Sequence, residues 1–134
     1  MRCLGLDYGQ KRIGLAISDL SNTIASTYKV LINNKNLIEN LKIIVIKESL
    51  THIVIGLPLH MNGDKGDKAQ LVEALGDNIK SNIDIEIIYE DERLTTVSAE
   101  RILIEGEVRR KNRKAKIDAL AATFILQKFL DKQK

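Results

Sequence analysis

The chain has 134 residues, of which 44% are hydrophobic and 29% are charged, and its formal net charge is +3. This length and composition predict a single globular domain over residues 1–134 and exclude a long disordered linker. A single cysteine, Cys3, excludes an internal disulfide framework. The sequence has neither a signal-peptide pattern nor an apolar run long enough to span a bilayer, so we expect a soluble cytoplasmic protein that does not bind membranes.

The first half of the chain predicts an antiparallel meander followed by a helix and a buried strand. Residues 3–19 contain two apolar runs separated by turn residues at 9–11, a pattern typical of a β-hairpin. Residues 23–32 are rich in β-formers and predict a third strand. Apolar residues recur at helical spacing over 36–49, and the short apolar run at 52–57 is typical of a buried parallel strand.

The second half alternates helices and a strand. The predicted elements are, in order, a polar loop at 59–66, a helix at 67–79, a strand at 83–89, a helix from Thr95 or Thr96 to about 105, and a helix at 115–131. The whole pattern predicts a mixed α/β fold, in which a three-strand meander is extended by two parallel strands into a five-stranded sheet with flanking helices.

The positive charge is concentrated in one segment. Residues 109–116 carry six basic groups and no acidic one, so the rest of the chain has a formal charge of −3. We expect this segment to be an exposed loop, which is often only solvated but also suits a polyanion such as nucleic acid. The six residues are Arg109, Arg110, Lys111, Arg113, Lys114 and Lys116.

Carboxylates from three distant parts of the chain are predicted to converge. Asp7 lies towards the carboxyl end of strand 1, Asp91 follows the last strand, and Asp118 shares the apolar stripe of the last helix. Clustered carboxylates need cations, and oxygen ligands without a Cys or His array suit Mg²⁺ or Mn²⁺. A pair of such ions activates water for phosphodiester hydrolysis.

Each carboxylate also has a simpler structural interpretation. Asp7 can cap the hairpin turn, and Asp118 can pair with Lys114 or cap its helix. At least one of the acidic residues at 90–92 is expected to be a solvated surface charge. The residues alone therefore leave both interpretations open.

Four blocks of sequence, taken together, resemble the YqgF/RuvX family and cover nearly the whole chain. They are residues 6–19 (LDYGQKRIGLAISD), residues 56–59 (GLPL) with Gly63 and Gly66 following, residues 91–96 (DERLTT), and Lys116 with residues 118–122 (DALAA). The resemblance implies a ribonuclease H-like fold and a nuclease that matures the 5′ end of bacterial 16S ribosomal RNA. The family's similarity to RuvC also implies a Holliday junction resolvase.

The resemblance also implies roles for the acidic residues. By motif, Asp7 is the metal ligand on strand 1, Asp91 or Glu92 is the second acidic residue, and Asp118 is the third. All four are candidate catalytic residues, and Asp7, Asp91 and Asp118 are the candidate metal ligands. Strand alternation places Asp91 on the same face as Tyr89, which slightly favours Asp91 over Glu92 as the inward-facing carboxylate. The candidate nucleic-acid-binding residues are Lys11, Arg12, Arg93 and the six basic residues of the 109–116 segment.

Three functions from different classes fit these features. The leading hypothesis is a Mg²⁺- or Mn²⁺-dependent endonuclease that cleaves pre-rRNA or branched DNA. The second is a nucleic-acid-binding module whose carboxylates no longer catalyse. The third, an actin-like ATPase suggested by Asp7-x-Gly9, is disfavoured because that fold needs two lobes and 134 residues supply one. Junction resolution would require a symmetric homodimer, whereas a monomer could trim RNA.

Overall fold

The computed structural model describes residues 1–60, 62–92 and 110–133, with the backbone alone described at 110–118. Within these ranges the chain forms β1 (Cys3–Asp7), β2 (Arg12–Ser18), β3 (Ala25–Ile32), α1 (Leu37–Lys47), β4 (His52–Leu57), α2 (Asp67–Asn82), β5 (Glu86–Asp91) and α3 (Arg110–Lys132). The helix predicted from Thr95 or Thr96 to 105 lies outside the described residues.

The five strands form one mixed sheet in the order β3-β2-β1-β4-β5. Strands β1, β2 and β3 pair antiparallel, while β4 pairs parallel with both β1 and β5. The predicted meander with two added parallel strands is therefore confirmed. Because β1, β4 and β5 run in the same direction, their carboxyl ends meet at one edge of the sheet.

The two faces of the sheet carry separate cores. Alternate residues of β1 and β4, including Leu4, Leu6 and Ile55, pack with α1 and α2 in the larger cluster. The opposite face, which includes Cys3 and Val54, packs against the apolar stripe of α3. Gly5 lets α3 approach β1 closely, since a Cβ at this position would lie 2.8 Å from the carbonyl oxygen of Ala122.

Two predicted strand boundaries are wrong, each because backbone groups are used elsewhere. β3 begins at Ala25 rather than at residue 23, because the Asp19 carboxylate accepts hydrogen bonds from the N–H groups of Thr23, at 2.7 Å, and Ile24, at 3.2 Å. β5 begins at Glu86 rather than at residue 83, because α2 continues to Asn82 and the Ile83 N–H still donates to the carbonyl of Ile79.

The final helix is also longer than predicted. The helix α3 begins at Arg110 rather than at residue 115, so positions 110–116 of the basic segment are helical and not a loop. Lysine and arginine are good helix formers, and no glycine or proline interrupts residues 107–133. Charge density was therefore a poor guide to backbone conformation here. In the part of the chain that the structure covers, no helix has the length and apolar character to cross a membrane.

Candidate active site

Two acidic side chains meet above a glycine at the shared carboxyl edge of the parallel strands. Asp7 ends β1 and Glu92 directly follows β5, and both are buried, with 8% of each residue exposed. Strands β1 and β5 lie on either side of β4, which places the two backbones roughly 10 Å apart. The β4 residue between them is Gly56, where a Cβ would lie 2.5 Å from Glu92 Oε2. The missing side chain leaves the space in which the two carboxyl groups meet.

A hydrogen bond joins the carboxyl groups of Asp7 and Glu92. Two carboxyl groups can form such a bond only when one of them carries a proton. Burial raises the pKa of Glu92, and the neighbouring charge of Asp91 raises it further, while the bond with Asp7 and the charge of Lys68 lower it. The charged form of Glu92 is therefore disfavoured in this buried position beside Asp7.

Glu92, and not Asp91, faces Asp7, which corrects the preference derived from strand alternation. Asp91 does share a face with Tyr89, but Tyr89 packs on α2, where its hydroxyl donates to the carbonyl of Glu73 at 3.4 Å. Asp7 lies on the opposite face of the sheet, beneath α3. The N–H of Glu92 donates to the carbonyl of Leu57 at 3.2 Å, which extends the ladder by one residue and places Glu92 on the α3 side.

The third predicted acidic residue, Asp118, belongs to α3, and only its backbone is described. Asp118 is one helical turn before Ala122, the residue whose carbonyl oxygen lies against Gly5. Five of the predicted nucleic-acid-binding residues, Arg110, Lys111, Arg113, Lys114 and Lys116, belong to the first two turns of the same helix. Arg93 and Arg109 lie outside the described residues.

An open cleft begins beside Asp7, between the β1–β2 turn and the first turn of α2. Its volume is about 500 Å³. It contains the predicted basic residues Lys11 and Arg12, together with Lys68, whose positive charge lowers the pKa of Glu92. A charged residue of the cleft therefore acts directly on the carboxyl pair. The residues that line it are Tyr8, Gly9, Gln10, Lys11, Arg12, Asp67, Lys68 and Leu71.

The carboxyl pair suits a divalent cation. The groups that meet here supply only carboxylate oxygens, the ligands that Mg²⁺ and Mn²⁺ prefer. Glu92 Oε2 is buried and has no hydrogen-bond partner within the described ranges. A cation bound here would satisfy this oxygen. No group of three or more His, Cys, Asp and Glu side chains arranged for metal binding occurs among the described residues, whose side chains do not include that of Asp118.

A family comparison assigns the chain over nearly its full length. The model of the family described as "RuvX: Holliday junction resolvase" matches residues 1–132. The chain belongs to the RuvX family. The predicted family is thereby confirmed, and with it, at the level of the family, an enzyme that hydrolyses phosphodiester bonds.

Relatives in the RuvX family are similar along the whole chain. A protein of Caldanaerobacter subterraneus is 48% identical, with 100% of this chain and 99% of the relative covered. A protein of Thermoanaerobacter pseudethanolicus is 47% identical with the same coverage, and one of Clostridioides difficile is 43% identical, covering 97% and 94%. Each of the three carries the name "Putative pre-16S rRNA nuclease".

Solved structures confirm the ribonuclease H-like fold. Thermus thermophilus RuvC in complex with a Holliday junction substrate matches with a TM-score of 0.61 at 12% identity, covering 99% of this chain and 96% of RuvC. The fowlpox virus Holliday junction resolvase matches with a TM-score of 0.57 at 13% identity, covering 98% and 99%. At these identities the likeness establishes the fold that this RuvX family member shares with them.

Two features of the site were missed by the sequence analysis. A glycine inside an apolar strand often marks a close approach of another group, and this signal was available at Gly56. Lys68 offered no comparable signal, because a lysine in the first turn of an amphipathic helix is ordinary. Only the packing of α2 beside the hairpin turn brings Lys68 to the cleft.

Proposed function

We propose that this protein is a cytoplasmic, metal-dependent endonuclease that matures the 5′ end of pre-16S rRNA, and that residues 1–134 form one nuclease domain. The observation that carries the proposal is the hydrogen-bonded pair of Asp7 and Glu92 at the carboxyl edge of the parallel strands. The cationic cleft beside the pair and the names of full-length relatives at 41–48% identity support the same conclusion.

Asp7 and Glu92 would hold a Mg²⁺ or Mn²⁺ ion, with Asp118 as the proposed third ligand. When bound, such ions supply a nucleophilic water and stabilise the leaving oxygen of the phosphodiester. The protein itself excludes water from one side of the pair by packing Ile125 of α3 against Gly56. Lys68 would attract the phosphate and reduce the charge of the carboxyl pair. Asp91 would contribute its negative charge to the site but not a ligand.

The test is cleavage of a labelled precursor RNA that spans the 5′ end of 16S rRNA, with Mg²⁺ or Mn²⁺. We expect the wild type to cleave and Asp7→Asn, Glu92→Gln and Asp118→Asn to lose cleavage while remaining folded by circular dichroism. Asp91→Asn is the matched control, and it should retain most of the activity. Equal losses for Asp91→Asn and Glu92→Gln would contradict the assignment of Glu92.

A second candidate substrate is a four-way DNA junction. The similarity in fold to RuvC in complex with a Holliday junction substrate favours it. The same variants should be assayed on a labelled junction of equal length. Faster cleavage of the junction than of the RNA would replace rRNA maturation by junction resolution without changing the roles of Asp7 and Glu92.

A further inference from the structure

The cleft beside Asp7 has the size of one nucleotide. Its volume of about 500 Å³ falls within the range of small-ligand sites. Its walls are the β1–β2 turn and the first turn of α2. A space of this size accommodates a single nucleotide whose base is not stacked in a duplex.

The cleft offers an apolar surface for the base of a nucleotide and positive charge for its phosphate. Tyr8 and Leu71 supply an aromatic and an apolar surface, and 44% of Leu71 is exposed. Lys11 and Lys68 supply positive charge, Arg12 also lines the cleft, and Asp67 supplies one carboxylate. Stacking on an aromatic ring combined with cations for the backbone is the usual chemistry of single-strand recognition.

The hairpin wall of the cleft is held in place by Asn33, the residue that directly follows β3. Asn33 donates from its side chain to the carbonyl of Gly9 at 2.8 Å, and its backbone N–H donates to the carbonyl of Lys11 at 2.9 Å. A side chain at Gly9 would clash with the carbonyl oxygen of Arg12. The cleft is thus largely preformed, which lowers the entropic cost of binding.

From these observations we infer that the cleft binds one unpaired nucleotide next to the scissile phosphate, with its base on Tyr8 and its phosphate beside Lys68. The inference rests on the proposed nuclease function and narrows its substrate to RNA that has an unpaired nucleotide at the cleavage site. Because Lys68 lines the cleft and its charge acts on Glu92, the bound nucleotide and the carboxyl pair would contact neighbouring phosphates.

The test is binding, in Ca²⁺, of three RNAs that share one sequence: a single strand, its full duplex, and a duplex with one unpaired 2-aminopurine. We expect the duplex to bind about tenfold more weakly than the other two. Tyr8→Leu keeps apolar bulk, removes the ring and should lose about tenfold in affinity together with the quenching of 2-aminopurine. Tyr8→Phe keeps the ring and should behave as the wild type.

Two further variants keep the inference testable if Tyr8→Leu does not fold. Leu71→Asp changes an exposed residue and should weaken binding of the unpaired nucleotide by charge repulsion. Lys68→Gln should weaken binding, whereas Lys80→Gln, the same change at the other end of α2, should not. The inference would be overturned if Tyr8→Leu bound and quenched 2-aminopurine as the wild type does. If only Leu71→Asp folds, the same result in that variant would overturn it. Equal affinity of the wild type for the full duplex and for the single strand would also overturn it.

Cleavage measured in parallel separates this inference from the proposed function. If the wild type cleaves and none of the cleft variants changes affinity or quenching, the nuclease assignment stands and the nucleotide site is overturned. If no RNA is cleaved but binding still requires Tyr8, the nucleotide site stands and the nuclease function fails.

Discussion

At the scale of single residues, the site depends on a side chain that is absent. Asp7 and Glu92 belong to strands that are not neighbours, and they meet because Gly56 between them has no Cβ. Burial of the two carboxyl groups side by side raises the pKa of Glu92. This arrangement is costly for the protein without metal, since burying charged carboxylates without cations is unfavourable.

The raised pKa of Glu92 predicts how stability depends on pH. The folded protein retains a proton that the unfolded chain releases, so above the ordinary glutamate pKa of about 4.3 the stability of the metal-free protein should fall as pH rises towards the raised pKa of Glu92. Glu92→Gln should flatten this fall and raise the melting temperature in EDTA at pH 7.5, while abolishing cleavage. Thermal unfolding between pH 4.5 and 8 measures the effect.

The exposed residue Glu86 of β5 provides the matched control. Glu86→Gln removes a carboxylate from the same strand and should leave the pH dependence unchanged. If Glu92→Gln showed the same pH dependence as the wild type, the raised pKa of Glu92 would not contribute to the pH dependence of stability.

Replacing Gly56 should separate the two carboxyl groups. In Gly56→Ala the new Cβ would lie 2.5 Å from both Glu92 Oε2 and Ile125 Cδ1, so these groups must move. We expect a loss of about 1–3 kcal/mol in the free energy of unfolding and a loss of cleavage on the order of a hundredfold. Urea denaturation and cleavage rates measure the two effects.

Gly63 is a suitable control for this substitution. Its φ of +92° makes an alanine strained, but a Cβ there would meet no atom within 4 Å. Gly63→Ala should therefore cost about 1–2 kcal/mol from backbone strain and leave cleavage intact. If Gly56→Ala retained its cleavage activity, the space left by the missing Cβ of Gly56 would not be needed to bring the two carboxyl groups together.

At the scale of elements, α3 is the part of the chain that would complete the proposed site. It covers the sheet face that carries Asp7, and its backbone contains Asp118. Two lysines near its end bind it to β5: Lys128 Nζ donates to the carbonyl of Asp91 at 2.8 Å, and Lys132 Nζ lies 2.6 Å from Glu90 Oε1. The helix is thereby held beside the strand that precedes Glu92.

Breaking the ion pair of Lys132 should destabilise the protein more than a surface pair would. Only 5% of the Glu90 side chain is exposed, so Lys132→Met leaves a buried carboxylate without its cation. We expect a loss of about 1–3 kcal/mol in unfolding free energy, much of it recovered in the double variant Glu90→Gln, Lys132→Met. Additive effects in this double-mutant cycle would indicate that the pair contributes nothing.

At the scale of the whole molecule, charge is distributed unevenly. The segment 109–116 carries six positive charges in a chain whose net charge is +3, and positions 110–116 form the start of α3. The helix that would supply the third carboxylate therefore also begins with the main positive charge of the protein. We expect this end of α3 to bind phosphates along the substrate without selecting a base sequence.

The salt dependence of RNA binding tests this role. Replacing Arg110, Lys111, Arg113 and Lys114 by glutamine should lower the slope of log affinity against log salt by about 0.7 for each phosphate that the variant no longer neutralises. The control with the same change in net charge replaces four exposed lysines that neither line the cleft nor belong to the 109–116 segment: Lys35, Lys42, Lys47 and Lys80. An equal decrease in both variants would indicate nonspecific attraction alone.

The sequence by itself determined the order and type of the described elements. Apolar periodicity is a local property, and for that reason the meander, the parallel strands and the helices were predictable. The sequence also indicated Asp7 and the acidic residues after the last strand as candidates, because a carboxylate at the end of a buried strand is unusual. Boundaries were predicted less well where backbone groups bond elsewhere, as with Asp19 at the start of β3.

Only the tertiary structure decided which face of the sheet carries the site. Strand alternation indicates which residues share a face, but not which helix covers that face, and this is why Asp91 was favoured although Glu92 meets Asp7. The gap at Gly56 and the position of Lys68 also depend on contacts between elements distant in sequence. Local patterns cannot encode such contacts, because they arise only when the helices pack on the sheet.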